Sequence, residues 1–303
     1  MLEKVGRWLC TAMMATAAVT ATAAGVSADT PAEGKRLVVL GDSFTANGLF
    51  RPTLAPTVQK CSQGEEAWPA QLSRLMGVDG TDQWANQACA GASIDNGPGY
   101  TLALEAADAA KTGSFGARTE LVALQFGVND RWGNSSKSLW NAVEQCIFQF
   151  EEGCEPDAVS KGALPDPRAV TGAAYADRIR STVTYIRYYA PNARIVLVGY
   201  PELFGTNQDA TCVKVFGVVP VNQPRGQFVI EYLDRLDRAQ REAADSLRLD
   251  FLDARALTTG HGPCAPESWV NGVLDPTSTG IPFHPTHQGD AVVAKALRDR
   301  YIR

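Results

Sequence analysis

A serine that follows an apolar run is the first residue in this 303-residue sequence that could perform chemistry. Residues 37–40 read LVVL, a short and fully apolar run that is typical of a buried strand in a parallel sheet. Gly41 permits a tight turn after it, and Asp42 and Ser43 favour turns and helix starts. The pattern therefore places Ser43 at the carboxyl edge of a sheet, where open α/β folds bind ligands. On these residues alone, Ser43 or Asp42 could instead only cap a helix.

A serine nucleophile needs a base within hydrogen-bond reach, and the sequence offers only three histidines. His284 precedes Pro285, which stiffens the backbone and would help to fix the position of the ring. His287 follows closely and is the second candidate. His261 lies between two glycines, as expected for a solvated loop residue.

Short apolar runs alternate with longer amphipathic segments along the chain, which predicts a parallel sheet covered by helices on both faces. Strands are predicted over residues 37–40, 83–86, 121–126, 195–198 and 249–252. Helices are predicted over residues 69–76, 101–111, 138–152, 173–189, 228–247 and 289–301. Residues 153–167, 202–224 and 261–283 contain many Gly and Pro residues and are predicted to be loops. No linker separates two cores, so residues 35–303 are predicted to form one domain.

Four motifs occur in a defined order: GDSF at residues 41–44, NQACAGAS at 86–93, GVND at 127–130 and FHPT at 283–286. In this order and at this spacing they resemble the four blocks that define the SGNH, or GDSL, hydrolases. The resemblance extends from about residue 35 to the C-terminus and is greatest to secreted actinobacterial lipases and esterases. It implies a three-layer α/β/α sandwich in which five parallel strands follow a flavodoxin-like order.

The resemblance also implies roles for four residues. Ser43 would be the nucleophile and His284 the catalytic base. The oxyanion hole would consist of the backbone N–H groups of Ser43 and Gly91 and the side-chain amide of Asn129. Glycine leaves room for the acyl oxygen, and an amide donates a hydrogen bond without adding a charge. Taken alone, GVND would also suit an ordinary turn after a strand.

The sequence departs from the family pattern beside the proposed base. The family usually has an aspartate three residues before this histidine, and Ile281 occupies that position here. We therefore expect a Ser43–His284 dyad in which a main-chain carbonyl, that of Ile281 or Pro282, orients the ring. The alternative is a triad in which Asp275 or Asp290 folds back onto His284.

The N-terminus predicts export from the cell. Residues 1–28 combine a basic start, an apolar stretch and a small-residue cleavage site, as in a secretory signal peptide, with a membrane anchor as the alternative. Residues 29–34 are a polar lead-in that is predicted to be disordered. Cleavage would take the net charge from −5 to about −6. No nucleic-acid partner is expected, because such a partner would require a basic face. No later apolar run is long enough to span a bilayer, so no stable membrane insertion is expected.

Six of the seven cysteines remain after signal cleavage, and an even number in an exported chain predicts three disulfides. Six cysteines allow 15 pairings. Pairing neighbours in sequence, which also resembles the actinobacterial relatives, gives Cys61–Cys89, Cys146–Cys154 and Cys212–Cys264. Metal binding is the alternative, but C-x-x-C motifs are absent and histidine is scarce, so no metal is expected.

The sequence lacks G-x-S-x-G, P-loop, G-x-G-x-x-G and H-E-x-x-H motifs, so no cofactor is expected. We expect a secreted, monomeric carboxylic ester hydrolase that acts through an acyl-enzyme on Ser43. The resemblance favours lipid esters such as acylglycerols as substrates. Three alternatives remain: a polysaccharide O-acetyl esterase, an acyltransferase, and a secreted binding protein on the same fold. Trp132, which follows GVND, would be either part of an acyl pocket or a core aromatic.

Overall fold

The computed structural model describes residues 32–48, 61–97, 99–148, 155–161, 164–204 and 210–302. A 3₁₀ turn, Pro167–Ala169, precedes the longest pair of helices. The strands and helices, in chain order, are β1 (Leu37–Gly41), α1 (Ser43–Ala46), α2 (Trp68–Leu75), β2 (Trp84–Asn86), α3 (Leu102–Lys111), β3 (Leu121–Gln125), α4 (Leu139–Phe148), α5 (Pro156–Ser160), α6 (Gly172–Tyr189), β4 (Arg194–Val198), β5 (Thr211–Val215), β6 (Val219–Gln223), α7 (Gln227–Leu247), β7 (Asp250–Leu252), α8 (Ala254–Leu257) and α9 (His287–Tyr301).

Five parallel strands form the central sheet, in the order β2-β1-β3-β4-β7. Leu37 of β1 lies opposite Leu121 of β3, and Leu121 lies opposite Arg194 of β4. Because β1 sits between β2 and β3, the direction of strand addition reverses there, as in flavodoxin-like sheets. The predicted sandwich with a five-stranded flavodoxin-like sheet is therefore confirmed.

Helices cover both faces of this sheet because successive side chains of a strand point to opposite sides. On one face, Leu37 and Val39 of β1 pack with residues of α2 and α9, such as Trp68 and Leu297. On the other face, Val38 and Leu40 join a larger core to which α3, α4, α6 and α7 contribute. Both faces are buried, which explains why these strands are continuous apolar runs without alternation.

The loops after β1, β2, β3 and β4 all lie at the carboxyl edge of the sheet, because the strands are parallel. They carry the GDSF, NQACAGAS and GVND motifs and the segment that begins at Gly199. The FHPT motif ends one residue before α9 begins at His287. The topology thus gathers the loops after β1, β2, β3 and β4, which are far apart in sequence, at one edge of the sheet.

The prediction of a continuous loop over residues 202–224 is wrong. Within that range β5 and β6 form an antiparallel hairpin, with Val213 opposite Val221. Gly217 and Pro220 read as loop signals, but Gly217 lies in the turn and Pro220 lies in a two-stranded sheet whose outer edges tolerate proline. The predicted loop over residues 153–167 likewise contains the short helix α5.

Two of the three expected disulfides, Cys61–Cys89 and Cys212–Cys264, are present in the structure. The first joins the segment before α2 to the loop after β2, and the second joins β5 to the loop after α8. The third pair, Cys146–Cys154, includes Cys154, which lies outside the described residues. The predicted signal peptide at residues 1–28 lies outside them as well, so the signal peptide and the domain limits stay predictions. Within the described part of the chain, no helix has the length and apolarity needed to cross a membrane.

Candidate active site

Ser43 is the first residue of α1, and only Asp42 separates it from the end of β1. The turn is fixed by Asp42, whose side-chain oxygen accepts a hydrogen bond from the Phe44 N–H at 2.9 Å. An aspartate at this position satisfies one of the N–H groups that a helix start leaves without a partner. Asp42 is thus the helix cap, which frees the Ser43 hydroxyl for another contact.

That contact is His284. The Ser43 Oγ lies 2.8 Å from His284 Nε2, and His284 Nδ1 lies 2.8 Å from the Pro282 carbonyl oxygen. A carbonyl can only accept, so Nδ1 carries the proton and Nε2 is the acceptor for the Ser43 hydroxyl. The ring is therefore held in the tautomer in which Nε2 can take a proton from Ser43.

An unusual backbone conformation aims the histidine. Phe283 has a φ of 63°, in the left-handed region that a bulky side chain rarely adopts. Asn271 holds this turn in place: its N–H donates to the His284 carbonyl at 2.8 Å, and its carbonyl accepts from the Phe283 N–H at 2.9 Å. Its side-chain amide also donates to the Pro285 carbonyl at 2.8 Å. Asn271 is a supporting residue that the sequence motifs did not reveal.

Both ring nitrogens of His284 have partners other than the two candidate aspartates. Asp290 is fully buried in α9, and its Oδ2 accepts from the Asn47 side-chain amide at 2.7 Å. The same Asn47 amide donates to the Pro285 carbonyl at 2.8 Å. Asp275 is half-buried, and its Oδ1 accepts from the Thr277 N–H at 2.8 Å. The carbonyl of Pro282, one of the two predicted main-chain acceptors, is the partner of Nδ1.

Aromatic rings enclose His284 and keep it neutral. Phe44 stacks on the imidazole with 4.1 Å between ring centroids, and Trp140 meets it at 5.4 Å with the planes 63° apart. His284 is 2% exposed. Burial disfavours the imidazolium and lowers the pKa of His284 to about 4, although the Pro282 carbonyl acts in the opposite direction. At neutral pH the ring is a base that is ready to accept a proton.

Tyr200, just after β4, supports the serine turn from the other side. Its hydroxyl donates to Asp42 Oδ2 at 2.5 Å and accepts from the Val128 N–H at 3.3 Å. It therefore connects the loops after β1, β3 and β4. Complete burial raises the pKa of Asp42 to about 7, while the hydrogen bonds from Tyr200 and the Phe44 N–H lower it.

The predicted oxyanion donors lie on the loops after three adjacent strands, β2, β1 and β3. The loops are joined by a hydrogen bond from the Cys89 N–H to the Gly41 carbonyl at 2.9 Å. The Asn129 amide donates to the Ala92 carbonyl at 3.0 Å, which fixes its position beside Gly91. Gly91 has a φ of 81°, and an added Cβ would meet no protein atom within 4 Å. The positive φ is what requires glycine at this position.

Asp130, the last residue of GVND, holds the loop after β2 and the loop after β3 together. Both of its oxygens accept from the Ile94 N–H, at 3.0 and 3.1 Å, and it forms a salt bridge with Arg178 of α6. Burial raises the pKa of Asp130 to about 6, and the Arg178 charge opposes that rise. This aspartate positions the loop that carries Asn129, so GVND is more than a turn sequence.

The other two histidines contact residues other than Ser43. His287 begins α9, and its N–H donates to Thr279 Oγ1 at 3.3 Å. His261 stacks on Trp269 with 3.4 Å between ring centroids. Trp132 is a core aromatic: it is 2% exposed and stacks on Tyr175 at 5.8 Å.

The part of the chain that the structure describes contains no cluster of three or more His, Cys, Asp or Glu side chains that could hold a metal ion. Tyr200, Asn47 and Trp140 are site residues that sequence reasoning missed. Tyr200 and Trp140 belong to none of the four motifs. Asn47 lies just after GDSF, and its left-handed φ of 33° ends α1. Asparagine is one of the residues that commonly end a helix with a left-handed φ, and this preference was the only signal for Asn47 in the sequence.

Residues 39–292 of the chain match the sequence model of the GDSL-like lipase/acylhydrolase family. Lipase 1 of Streptomyces coelicolor is 24% identical over 289 residues, which cover 94% of this chain and 93% of that protein. An esterase of Streptomyces scabiei is 26% identical over 328 residues, covering 91% and 88%.

Solved structures show the same fold. Phospholipase A1 of Streptomyces albidoflavus NA297 superposes with a TM-score of 0.61 at 22% identity, covering 89% of this chain and 99% of that one. An extracellular lipase of Streptomyces rimosus gives 0.59 at 18% identity, with 88% and 99% covered. Because the family match spans most of the sequence, this chain belongs to the GDSL-like lipase/acylhydrolase family and is a carboxylic ester hydrolase.

Proposed function

We propose that Ser43 and His284 hydrolyse carboxylic esters as a dyad through an acyl-enzyme. The observation that carries this proposal is the 2.8 Å contact between Ser43 Oγ and a buried, neutral His284 Nε2. Ser43 Oγ attacks the ester carbonyl carbon while its proton passes to Nε2. The tetrahedral intermediate collapses as His284 returns that proton to the leaving alcohol. Water, with His284 again as base, then releases the carboxylic acid and regenerates the Ser43 hydroxyl.

The Pro282 carbonyl takes the place that a carboxylate has in a triad. Its dipole orients Nδ1–H and stabilises the imidazolium that forms during attack. The carbonyl carries no full charge, so it offsets only part of the lowering of the His284 pKa that burial causes. A neutral resting base and a fixed tautomer are the requirements of the first step.

The developing oxyanion would accept hydrogen bonds from the N–H groups of Ser43 and Gly91 and from the Asn129 amide. Two of these donors are backbone groups on loops that Cys89 and Asp130 hold in place, so little reorganisation accompanies the reaction. Asn129 Nδ2 has two hydrogens, and its bond to the Ala92 carbonyl uses one of them. The other is available for the acyl oxygen.

An aromatic path beside the base supports a lipid acyl chain as the substrate. The ring centroids of Trp140 and Phe283 lie 6.1 Å apart, and those of Phe283 and Phe148 lie 6.4 Å apart. Phe148 is 46% exposed. These rings lead from His284 to the surface and suit an apolar chain. The relatives are named lipase and esterase, and one structural neighbour is a phospholipase A1. Acylglycerols or phospholipids are therefore the proposed substrate class.

Export is part of the proposal. The predicted signal peptide, the two disulfides and the extracellular relative from Streptomyces rimosus support a secreted enzyme. Its catalysis needs no cofactor in this scheme, since every proton and bond is accounted for by Ser43, His284, the ester and water.

The test combines covalent labelling with a panel of esters. Wild-type protein should react with a fluorophosphonate at Ser43, and Ser43→Ala should lose both labelling and hydrolysis. Ser246→Ala is the matched control, since Ser246 is exposed in the last turn of α7 and should leave both unchanged. Octanoyl esters should give a higher kcat/KM than acetyl esters. Preference for acetylated xylan would replace the lipid assignment, and labelling at another residue would refute the dyad.

A further inference from the structure

The tip of the β5–β6 hairpin is an exposed apolar surface with no assigned role. We define the apolar tip as Phe216, Val218, Val219 and the neighbouring Leu274, which are 58%, 77%, 49% and 68% exposed. Residues 215–221 read VFGVVPV and contain no charged or polar side chain. Exposed apolar clusters of this kind mark interaction surfaces, because contact between apolar side chains and water is unfavourable in free energy.

The backbone of the tip is unfavourable for the residues that occupy it. Phe216 and Leu274 both have left-handed φ values, 55° and 52°, and Gly217 has a φ of 74°. A hairpin turn with two successive positive φ values strongly favours Asn-Gly. A bulky apolar residue at Phe216 and at Leu274 therefore opposes local folding preference. Strain that folding does not require points to another use of these side chains.

The hairpin is held firmly against the body of the protein, although a two-stranded sheet alone is only marginally stable. The Cys212–Cys264 disulfide anchors β5. The Phe216 N–H donates to the Val273 carbonyl at 2.8 Å, and the Gln223 side chain at the end of β6 donates to the α4 carbonyl of Cys146 at 3.1 Å. The tip is thus a fixed feature of the surface.

A series of backbone contacts connects the tip to the catalytic segment. Val273 donates to the Lys214 carbonyl at 2.8 Å, and two residues earlier Asn271 donates to the His284 carbonyl at 2.8 Å. Residues 270–273 therefore run between β5 and the His284 segment. Two strand spacings, roughly 10 Å, separate β5 from that segment.

We propose that the apolar tip docks the enzyme onto the surface of a lipid aggregate, so that ester bonds at that surface reach Ser43. This inference rests on the proposed lipid substrate. The tip has no cationic side chain and the chain is acidic, so the surface that fits is neutral or zwitterionic lipid. A second copy of the chain fits less well, because stable protein interfaces use about 20–30 residues a side.

The docking follows from simple physical chemistry. Apolar side chains leave water when they enter the interfacial region of the lipid, and their attraction does not depend on salt. Phe216 is well suited to this region because aromatic rings are large and apolar. The hairpin would hold the reacting edge of the sheet toward the lipid.

The test uses substitutions that suit the backbone. Phe216→Asn combined with Leu274→Asn removes two apolar side chains, yet asparagine adopts left-handed φ values readily. The double variant should therefore unfold at the same or a higher temperature. The matched control is Leu75→Asn combined with Tyr188→Asn, residues that are 44% and 77% exposed near the ends of α2 and α6, at the opposite edge of the sheet.

Binding is measured by co-sedimentation with vesicles of ether-linked phosphatidylcholine, which contain no carboxylic ester. The tip variant should partition at least about tenfold less than wild type, and the control as well as wild type. Raising the NaCl concentration should leave wild-type binding intact. Hydrolysis of the water-soluble ester p-nitrophenyl butyrate should stay within about twofold in the tip variant, because the tip does not contact that substrate.

Unchanged vesicle binding by the tip variant would overturn the proposal, as would an equal loss in the control. A wild-type dimer that the tip substitutions dissociate would show that the surface binds a second copy instead. If no ester is hydrolysed but vesicles bind through the tip, the docking surface stands and the proposed function fails.

Discussion

The burial of His284 predicts an unusually acidic limit to catalysis. The rate constant kcat/KM reports the ionisation of the free enzyme, and only neutral His284 can take the Ser43 proton. Because burial lowers the pKa of His284 to about 4, hydrolysis of a soluble ester should stay on its plateau well below pH 6. The half-maximal value should fall near pH 4, where an ordinary histidine would give about 6.5.

The size of the effect follows from the two pKa values. At pH 5.5 a base with a pKa of about 4 is about 97% neutral, whereas one with a pKa of 6.5 is about 9% neutral. The kcat/KM at pH 5.5 should therefore be about tenfold higher than an exposed histidine would allow. Stopped-time assays across pH 3.5–8, with circular dichroism at each point, separate titration from unfolding.

Trp140→Ala supplies the perturbation. Removing this ring opens one side of His284 to water, which should raise its pKa and move the acid limit upward toward 6.5. Trp269→Ala is the matched control, because Trp269 stacks on His261 and should leave the limit unchanged. A wild-type limit near 6.5 would refute the reasoning, since it would mean that the working base is solvated.

A limit near 7 would have a different origin that the structure makes testable. Burial raises the pKa of Asp42 to about 7, and the Tyr200 hydroxyl partly offsets this rise. If Asp42 controlled activity, Tyr200→Phe would raise the midpoint further. If His284 controls it, Tyr200→Phe leaves the midpoint near 4.

Two further substitutions test the roles of individual side chains. Asn129→Ala should lower kcat by about two to three orders of magnitude, the usual loss for one oxyanion donor, and a change confined to KM would make Asn129 a binding residue. Asp290→Asn and Asp275→Asn should each lower kcat less than about tenfold, because the Pro282 carbonyl orients His284. A fall of about 10⁴ in either folded variant would identify that aspartate as the third member of a triad.

The local sequence was sufficient to predict the sheet and the positions of its loops. The run at residues 37–40 is continuously apolar because both faces of β1 are buried, and a run of that kind is visible without any partner. Gly41 and the residues after it mark the turn for the same local reason. With only three histidines, the choice of a base was also short.

Contacts between distant segments could not be predicted in this way. The hairpin over residues 211–223 was missed because Gly217 and Pro220 look like loop residues until each valine strand meets its partner. The pairs Asp42–Tyr200 and Asn47–Asp290 join residues that are 158 and 243 positions apart. No local preference encodes such separations.

The sequence by itself determined which residues could react and that they lie at one edge of a parallel sheet, because strand burial and turn preference act over a few neighbouring residues. Only the tertiary structure decided how His284 is oriented and how low its pKa falls. Those properties depend on the Pro282 carbonyl, on the rings of Phe44 and Trp140, and on the exclusion of water around them. The desolvation of His284 and the orientation of its ring both result from packing, and packing brings together parts of the chain that are far apart in sequence.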